Sequence, residues 1–354
     1  MQGPAREVWA RLQEWQAASS SPDPLVIETS GSTGEPKQVL LSRPAMRASA
    51  TATHTRLGGP GQWLLVLAPT HVAGSQVLFR SVLADAEPVL LHEHDDLSAA
   101  ARAMDGLRRY TSLVPTQLTR MLSSERDLAA LRTFDAILLG GAAIDPDMRG
   151  AAERAGLRIV ATYGMSETCG GCVYDGVALD GVAVAISTEG LVRLAGPVLF
   201  DGYDGRPDLT TQVLKDGWFV TSDLGRLDED GRLQVLGRVD DVVVSGGTNV
   251  PTSAVAARIR EKPGVLAAEV VGVPDTQWGQ RVVAVVVTSR EVDLEVLRDF
   301  VSERLPRPWA PKELVVVDDI PLLGNGKVDR LRLRRLVAAS SIPDAGARKG
   351  GGPA

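Results

Sequence analysis

The sequence predicts an α/β architecture in three parts: a large N-terminal α/β domain, a small antiparallel β subdomain attached to it, and a small α+β domain near the C-terminal end. Three observations predict it. From Leu25 to Gly164, short apolar runs alternate with longer amphipathic stretches, the pattern of helices laid on a mostly parallel sheet. Between about Cys172 and Leu236, glycine-rich turns recur among short strands. After Gly237-Arg-Val-Asp-Asp241 a compact unit of about 100 residues begins, enough to fold on its own.

Taken in order, Val8, Leu12 and Trp15 share one helical face and predict an opening helix over residues 5–18. Strands are expected at Leu25–Glu28, Gln38–Ser42, Trp63–Ala68, Pro88–Leu91, Tyr110–Val114, Ala136–Leu139 and Arg158–Thr162, with helices between most of them, including Pro115–Ser123 and Pro146–Gly156. Leu224–Leu227, the turn Asp228-Glu-Asp-Gly231 and Arg232–Leu236 form a hairpin pattern. In the last part, helices fit Ser253–Glu261 and Leu294–Leu305, and strands fit Leu266–Val273, Arg281–Thr288 and Glu313–Val317. The expected domains are residues 1–236 (α/β layer to about 172, β-rich from 173 to 236), a joint at 237–241, a second domain at 242–338, and a disordered tail at 339–354 that is Gly/Ala/Pro-rich from Pro343.

The bulk numbers exclude several classes. The 354 residues suit one large and one smaller domain, and 44% hydrophobic with 23% charged residues is ordinary for a soluble globular chain. A net charge of −6 argues against a nucleic-acid-coating surface. No apolar run reaches membrane-spanning length, and Met1–Ala18 lacks the apolar core of a signal peptide. Two cysteines cannot build a disulfide framework, so a cytoplasmic location is expected.

Four segments carry chemistry. Thr29-Ser-Gly-Ser-Thr-Gly-Glu-Pro-Lys37 follows a strand; its small residues let backbone N–H groups approach a polyphosphate, its hydroxyls add donors and Lys37 adds charge. It lacks Walker A spacing, and the alternative is a flexible Gly/Ser turn. Tyr163-Gly-Met-Ser-Glu-Thr168 sits at a strand end, where ligands of α/β sheets bind. There Glu167 is a hard oxygen ligand suited to Mg²⁺, and Ser166 can hydrogen-bond a phosphate, against the alternative of a polar turn. Thr221-Ser-Asp-Leu-Gly225 and Gly237-Arg238 offer a carboxylate, Asp223, for both ribose hydroxyls and a donor, Arg238, for the same sugar. Leu323-Gly-Asn-Gly-Lys327 presents a Gly-flanked lysine that is otherwise an ordinary surface residue.

In this order and spacing the four segments resemble the core motifs of the adenylate-forming superfamily of acyl-CoA ligases, adenylation domains and luciferases, over roughly residues 24–338. Thr111-Ser-Leu-Val-Pro-Thr-Gln-Leu118 and Ile137-Leu-Leu-Gly-Gly-Ala-Ala-Ile144 further resemble the o-succinylbenzoate–CoA ligases of menaquinone synthesis, and the length resembles their compact actinobacterial versions. Only 28 residues precede the phosphate loop, where larger relatives carry a further subdomain. Ser166 stands where many relatives have Thr, with the hydroxyl retained.

The resemblance implies an AMP-forming acid–thiol ligase that uses ATP, Mg²⁺ and CoA in two half-reactions. Thr29, Ser30, Gly31, Ser32, Thr33, Gly34 and Lys37 would hold the β- and γ-phosphates, and Glu167 the Mg²⁺. Gly140, Gly141, Ala142, Tyr163, Gly164, Met165 and Ser166 would line the nucleotide, with Asp223 and Arg238 on the ribose. Lys327 would bridge the substrate carboxylate and the α-phosphate. The small domain would then act as a mobile lid turning about Asp240, opening a CoA path past Ser245, Gly246 and Gly247. For the acyl pocket, Val114 and Gly164 are expected contacts. His71 and Arg80 are the candidates to meet the second, aromatic carboxylate, whose burial demands a cationic partner. The expected partners are the small carboxylate, ATP and CoA, with no nucleic acid and no membrane; a homodimer stays open. Other readings are an aryl- or fatty-acyl-CoA ligase, an adenylation enzyme serving a carrier protein, and a regulatory nucleotide binder without catalysis.

Three further patterns carry less. Cys169-Gly-Gly-Cys172 has the spacing of a redox or half-zinc motif, but no second cysteine pair exists. His92-Glu-His94 lacks a third ligand nearby in sequence. Arg330, Arg332, Arg334 and Arg335 alternate with leucines, which suits a docked C-terminal helix.

Overall fold

The computed structural model describes residues 3–29, 36–322 and 328–340. The chain divides into two compact units, Met1–Val235 and Leu236–Ala354.

The first unit is organised by a seven-stranded sheet. In spatial order its strands are Val89–Leu90, Gln62–Leu65, Arg109–Leu113, Ala136–Leu139, Ile159–Met165, Gly170–Tyr174 and Val177–Ala178. The first five are parallel to one another, and the last two return antiparallel. Parallel strands covered on both faces become apolar throughout, as Ala136–Leu139 is, buried at every position. Side chains alternate between the faces. Trp63, Leu65, Ala136 and Leu138 join one core with the helices Ala5–Ala17, Arg43–Arg56 and Val72–Leu83. Leu64, Ile137 and Leu139 join the opposite core with Leu97–Ala103, Pro115–Leu122, Glu125–Leu131 and Pro146–Arg154.

This order creates a crevice. Gln62–Leu65 and Arg109–Leu113 are neighbours, paired Leu64 to Thr111. The chain leaving the first strand enters a helix on one face, and the chain leaving the second enters a helix on the other. Such a switch point opens at the carboxyl ends of the strands, where open α/β sheets bind ligands.

Three sequence expectations need correction here. Leu25–Thr29 and Lys37–Leu41 do not join the α/β layer. They form an antiparallel hairpin, Thr29 opposite Lys37, extended by Gly202–Tyr203 into a separate three-stranded sheet. Their alternating burial, against the all-buried pattern of Ala136–Leu139, fits a sheet solvated on one side. The β-rich texture also begins later than residue 173, because Gly170–Tyr174 and Val177–Ala178 continue the large sheet. The separate five-stranded sheet runs from Ala183 onward. Finally, the strand Ile159–Met165 carries Tyr163 within it rather than after it.

The second unit packs Thr252–Arg260 and Leu294–Ser302 on a sheet in which Val265–Asp275 and Gly279–Thr288 pair antiparallel and Glu313–Val316 adds parallel. The sheet also holds a hairpin, Val242–Ser245 with Thr248–Pro251, turning through Gly246 and Gly247 at φ +58° and +78°. Two consecutive left-handed residues are the demand of a type I′ turn, met here by two glycines. The helix Arg330–Ser340 docks Leu333 and Val337 onto Val271, Val273, Val283 and Val285. Residues 341–354 of the expected tail lie outside the described residues. Among the described residues no helix is long and apolar enough to cross a membrane.

Candidate active site

Five of the residues expected on the triphosphate, Ser30, Gly31, Ser32, Thr33 and Gly34, lie outside the described residues, as does Lys327. The two ends of the phosphate loop are placed. Thr29 donates its hydroxyl to the carbonyl of Lys37 at 3.3 Å, closing the hairpin beneath the loop. The Lys37 ammonium stands over the ring of Tyr203, 5.1 Å from its centroid. A lysine at that distance is attracted by the ring's negative face.

Glu167 occupies the single turn Ser166–Thr168 that ends the Ile159–Met165 strand. Thr168 fastens this turn: its hydroxyl accepts from the Met165 N–H at 3.0 Å and lies 2.7 Å from the Gly170 carbonyl. Glu167 is held at both ends by one segment. Its carbonyl accepts from Phe200 N–H at 2.9 Å, and its carboxylate Oε1 accepts from the Tyr203 hydroxyl at 2.7 Å. The remaining oxygen, Oε2, has no partner among the described residues. Among the described residues no group of three or more His, Cys, Asp and Glu could cage a metal. A half-buried glutamate with one uncommitted carboxylate oxygen fits Mg²⁺, which takes one or two protein carboxylates and completes its shell with waters and substrate phosphates.

Asp223 lies in the Trp218–Leu227 strand of the five-stranded sheet and is 7% exposed. Tyr163 reaches it across the gap between sheets, donating to Oδ2 at 2.7 Å. Burial, and next the Asp223 charge, push the Tyr163 hydroxyl far above the ordinary tyrosine range, so it remains a donor. Burial followed by Glu167 does the same for Tyr203. Neither tyrosine–carboxylate pair is visible in sequence, since 60 and 36 residues separate the partners. Tyr203 was missed altogether. Its one signal is an aromatic residue inside Asp201-Gly-Tyr-Asp-Gly205, where a plain turn has no use for one.

Gly140 and Gly164 have a reason for being glycine that is independent of any nucleotide. A Cβ on Gly140 would lie 2.2 Å from the Thr162 hydroxyl, and one on Gly164 would lie 2.1 Å from the Gly170 carbonyl. Gly141 takes a left-handed conformation, φ +82°, and faces Val114. Gly140, Gly141, the exposed Ala142, Val114 and Tyr163 therefore gather along the carboxyl edge of the large sheet, with Met165 and Ser166 at the end of its strand.

His71 and Arg80, the two candidates to meet the second carboxylate, stand at opposite ends of one helix. His71 is the exposed N-cap of the Val72–Leu83 helix, at the carboxyl edge. Arg80 is in the last turn, about 13 Å further along the axis. It is 3% exposed, lies 5.0 Å over the ring of Trp63 near the start of its strand, and donates to the Tyr174 hydroxyl at 3.5 Å. Its Nε has no partner among the described residues. Burial lowers its pKa. His71 thus stands at the carboxyl edge, whereas Arg80 is packed on Trp63 toward the other end of the helix.

Arg238 ends the strand Leu233–Arg238, and Asp240 is the middle of the turn Val239–Asp241, both in the second unit. Ser245 is buried, its hydroxyl without a partner among the described residues, and a Cβ on Gly246 would strike the Trp278 ring at 2.7 Å. Cys169 and Cys172 are free and buried, and burial raises both thiols, Cys172 to about 12. Such thiols are inert.

A mostly parallel sheet with a glycine-rich carboxyl edge, and Glu167 in the turn that ends one of its strands, suits a nucleotide-binding enzyme, and the comparison with known proteins says which. The sequence profile of the AMP-binding enzyme family matches residues 5–201, and that of the AMP-binding enzyme C-terminal domain matches residues 254–327. The chain belongs to this adenylate-forming family. It is 43% identical over 327 residues to a protein of Mycobacterium tuberculosis named "Probable 2-succinylbenzoate--CoA ligase", covering 90% of this chain and 85% of that one. Among solved structures it resembles the o-succinylbenzoate CoA synthetase of Bacillus subtilis in complex with its acyl-adenylate intermediate, with a TM-score of 0.75 and 27% identity over 94% of this chain and 71% of that one. The same synthetase in complex with ATP and magnesium ion gives 0.73 and 26% over 89% and 71%.

Proposed function

We propose that this chain is an o-succinylbenzoate–CoA ligase. It activates the succinyl carboxylate with MgATP as an acyl-adenylate, then transfers the acyl group to CoA in the menaquinone route of the cytoplasm. The observation that supports the chemistry is the joint placement of Lys37 and Glu167 on Tyr203, a cation for phosphate and a carboxylate for its metal at one strand end. The acyl group is inferred from the relatives, above all the 43% identical one.

A carboxylate is a poor electrophile for a thiol, so a leaving group must be installed first. The carboxylate oxygen attacks the α-phosphorus, the α–β anhydride bond breaks, and pyrophosphate departs. Glu167 would hold Mg²⁺, which would supply charge neutralisation on the phosphates. The phosphate loop with Lys37 retains the departing pyrophosphate, Asp223 accepts the ribose hydroxyls with Arg238 as donor, and Lys327 neutralises charge developing between the two anions. The CoA thiol, losing its proton, then attacks the acyl carbon, and the bond to AMP breaks. Ser245, Gly246 and Gly247 are proposed for the pantetheine path and Asp240 for the hinge. His71 and Val114, flanking the crevice, are proposed for the acyl group.

The test is CoA-thioester formation with o-succinylbenzoate, benzoate, succinate and a long-chain fatty acid. The expected result is a kcat/KM for o-succinylbenzoate far above the others. Comparable values for the fatty acid would overturn the acyl assignment and leave the ligase class standing.

A further inference from the structure

Tyr203 touches both ends of the phosphate-binding apparatus and belongs to neither motif. Its backbone pairs with Val39 in the strand that leaves the phosphate loop. Gly202, just before it, sits at φ +151°, where a side chain would press on Thr210. Thr210 in turn accepts the Tyr203 N–H at 2.9 Å. The ring is 6% exposed and meets Phe200 edge-on at 5.0 Å, and Phe200 meets Phe219 at 5.4 Å. A ring so enclosed has one orientation. It points its hydroxyl at Glu167 Oε1 and turns its face to Lys37.

We propose that Tyr203 is a positioning residue for MgATP: its hydroxyl occupies Oε1 of Glu167 and so commits Oε2 to the metal, while the face of its ring seats the Lys37 ammonium. The proposal rests on the reading of Glu167 as the carboxylate that meets the metal of MgATP. A glutamate has three side-chain torsions and loses their freedom on binding; a fixed hydrogen bond removes that loss in advance. Partners of this kind, one bond removed from a metal, change metal affinity or activity about 10–100-fold when replaced.

The experiment is calorimetric titration of the full chain with ATP, without any carboxylate substrate, once with Mg²⁺ in excess and once in EDTA. Tyr203→Phe keeps the ring, its aromatic neighbours and the seat of Lys37, and deletes only the hydroxyl. It should weaken MgATP binding about tenfold while leaving ATP–EDTA binding within about twofold. In a Glu167→Gln background the same exchange should change MgATP binding less than about twofold, because the carboxylate it positions is gone. Unchanged MgATP affinity in Tyr203→Phe overturns the proposal. So does an equal loss in EDTA, or an equal loss in the Glu167→Gln background, since either marks a merely structural residue. If the unaltered chain binds ATP equally with and without Mg²⁺, the reading of Glu167 fails, and the role of Tyr203 fails with it.

Discussion

The first unit contains the same device twice, and the two copies differ in an instructive way. Tyr163 donates to Asp223 and Tyr203 donates to Glu167, each at 2.7 Å and each joining one sheet to another. In the first pair the tyrosine stands on the large sheet and the carboxylate on a peripheral one; in the second the arrangement is reversed. Asp223 is nearly buried, whereas Glu167 is half-buried with an oxygen uncommitted. Neutral ribose hydroxyls can follow a carboxylate into a dry site, and a carboxylate bonded by a tyrosine tolerates that burial. Magnesium dehydrates reluctantly and needs a site that admits water. On the proposed function, two carboxylates fixed by the same means would take different ligands, and their exposure fits each to its own.

Neither pair supplies positive charge at the α-phosphate, and the largest expected effect lies there. Lys327→Ala should lower carboxylate-dependent pyrophosphate exchange by about 10²–10³, the usual loss for one preorganised transition-state donor. The thiol step needs no cation at that point. The variant should therefore still convert supplied o-succinylbenzoyl-AMP and CoA to thioester. Assaying each half-reaction separately decides it, and equal loss of both in a folded protein would refute a lysine specific to adenylation.

Tyr163→Phe should act next in size and sharpen the comparison. A charge-assisted hydrogen bond contributes about 1.5–3 kcal/mol. Part of it is recovered as Asp223 finds other donors, so the KM for ATP should rise roughly five- to tenfold. That rise should be the same across Mg²⁺ concentrations, unlike the metal-dependent loss expected for Tyr203→Phe. Steady-state KM at several Mg²⁺ levels tells the pairs apart, and a Tyr163→Phe effect that vanished at high Mg²⁺ would merge them into one metal site.

What the sequence made legible follows the range of the interactions. Local signals found the parallel strands, the helices between them, the hairpin at Asp228–Gly231 and the docked helix after Lys327, because apolar period and turn chemistry are written within a few residues. Burial of Arg80 and the displacement of Leu25–Thr29 and Lys37–Leu41 into their own sheet were not legible, because each depends on partners far along the chain. Arg80 sits where an arginine on a polar-looking helix face meets Trp63 and Tyr174, 17 and 94 residues away. The same reason hid Tyr203. The glycines were legible, but not the steric reason that Thr162 and the Gly170 carbonyl forbid a side chain at Gly140 and Gly164.

The last expected effect is on stability rather than on the reaction, and it is a pH effect in the helix-side core around Trp63. His54 is 7% exposed, and its Nε2 accepts from the Trp63 indole N–H at 3.4 Å, so the buried ring is neutral. Burial first, and the Arg80 charge second, bring its pKa down from 6.5 to about 4. Above pH 6.5 neither the folded nor the unfolded chain protonates this imidazole, and it contributes nothing to pH dependence. Between pH 6.5 and about 4 the unfolded chain takes the proton and the folded chain does not, so stability falls as pH falls, by on the order of 3 kcal/mol at most across the window. His54→Gln should flatten that slope in melting temperature measured from pH 7 to 4.5. Arg80→Leu removes only the lesser cause and should flatten it in part, and it should leave the KM for o-succinylbenzoate within about twofold, because Arg80 faces Trp63 rather than the crevice. A tenfold rise in that KM would return Arg80 to the acyl pocket, and an unchanged slope in His54→Gln would place the acid sensitivity on other groups.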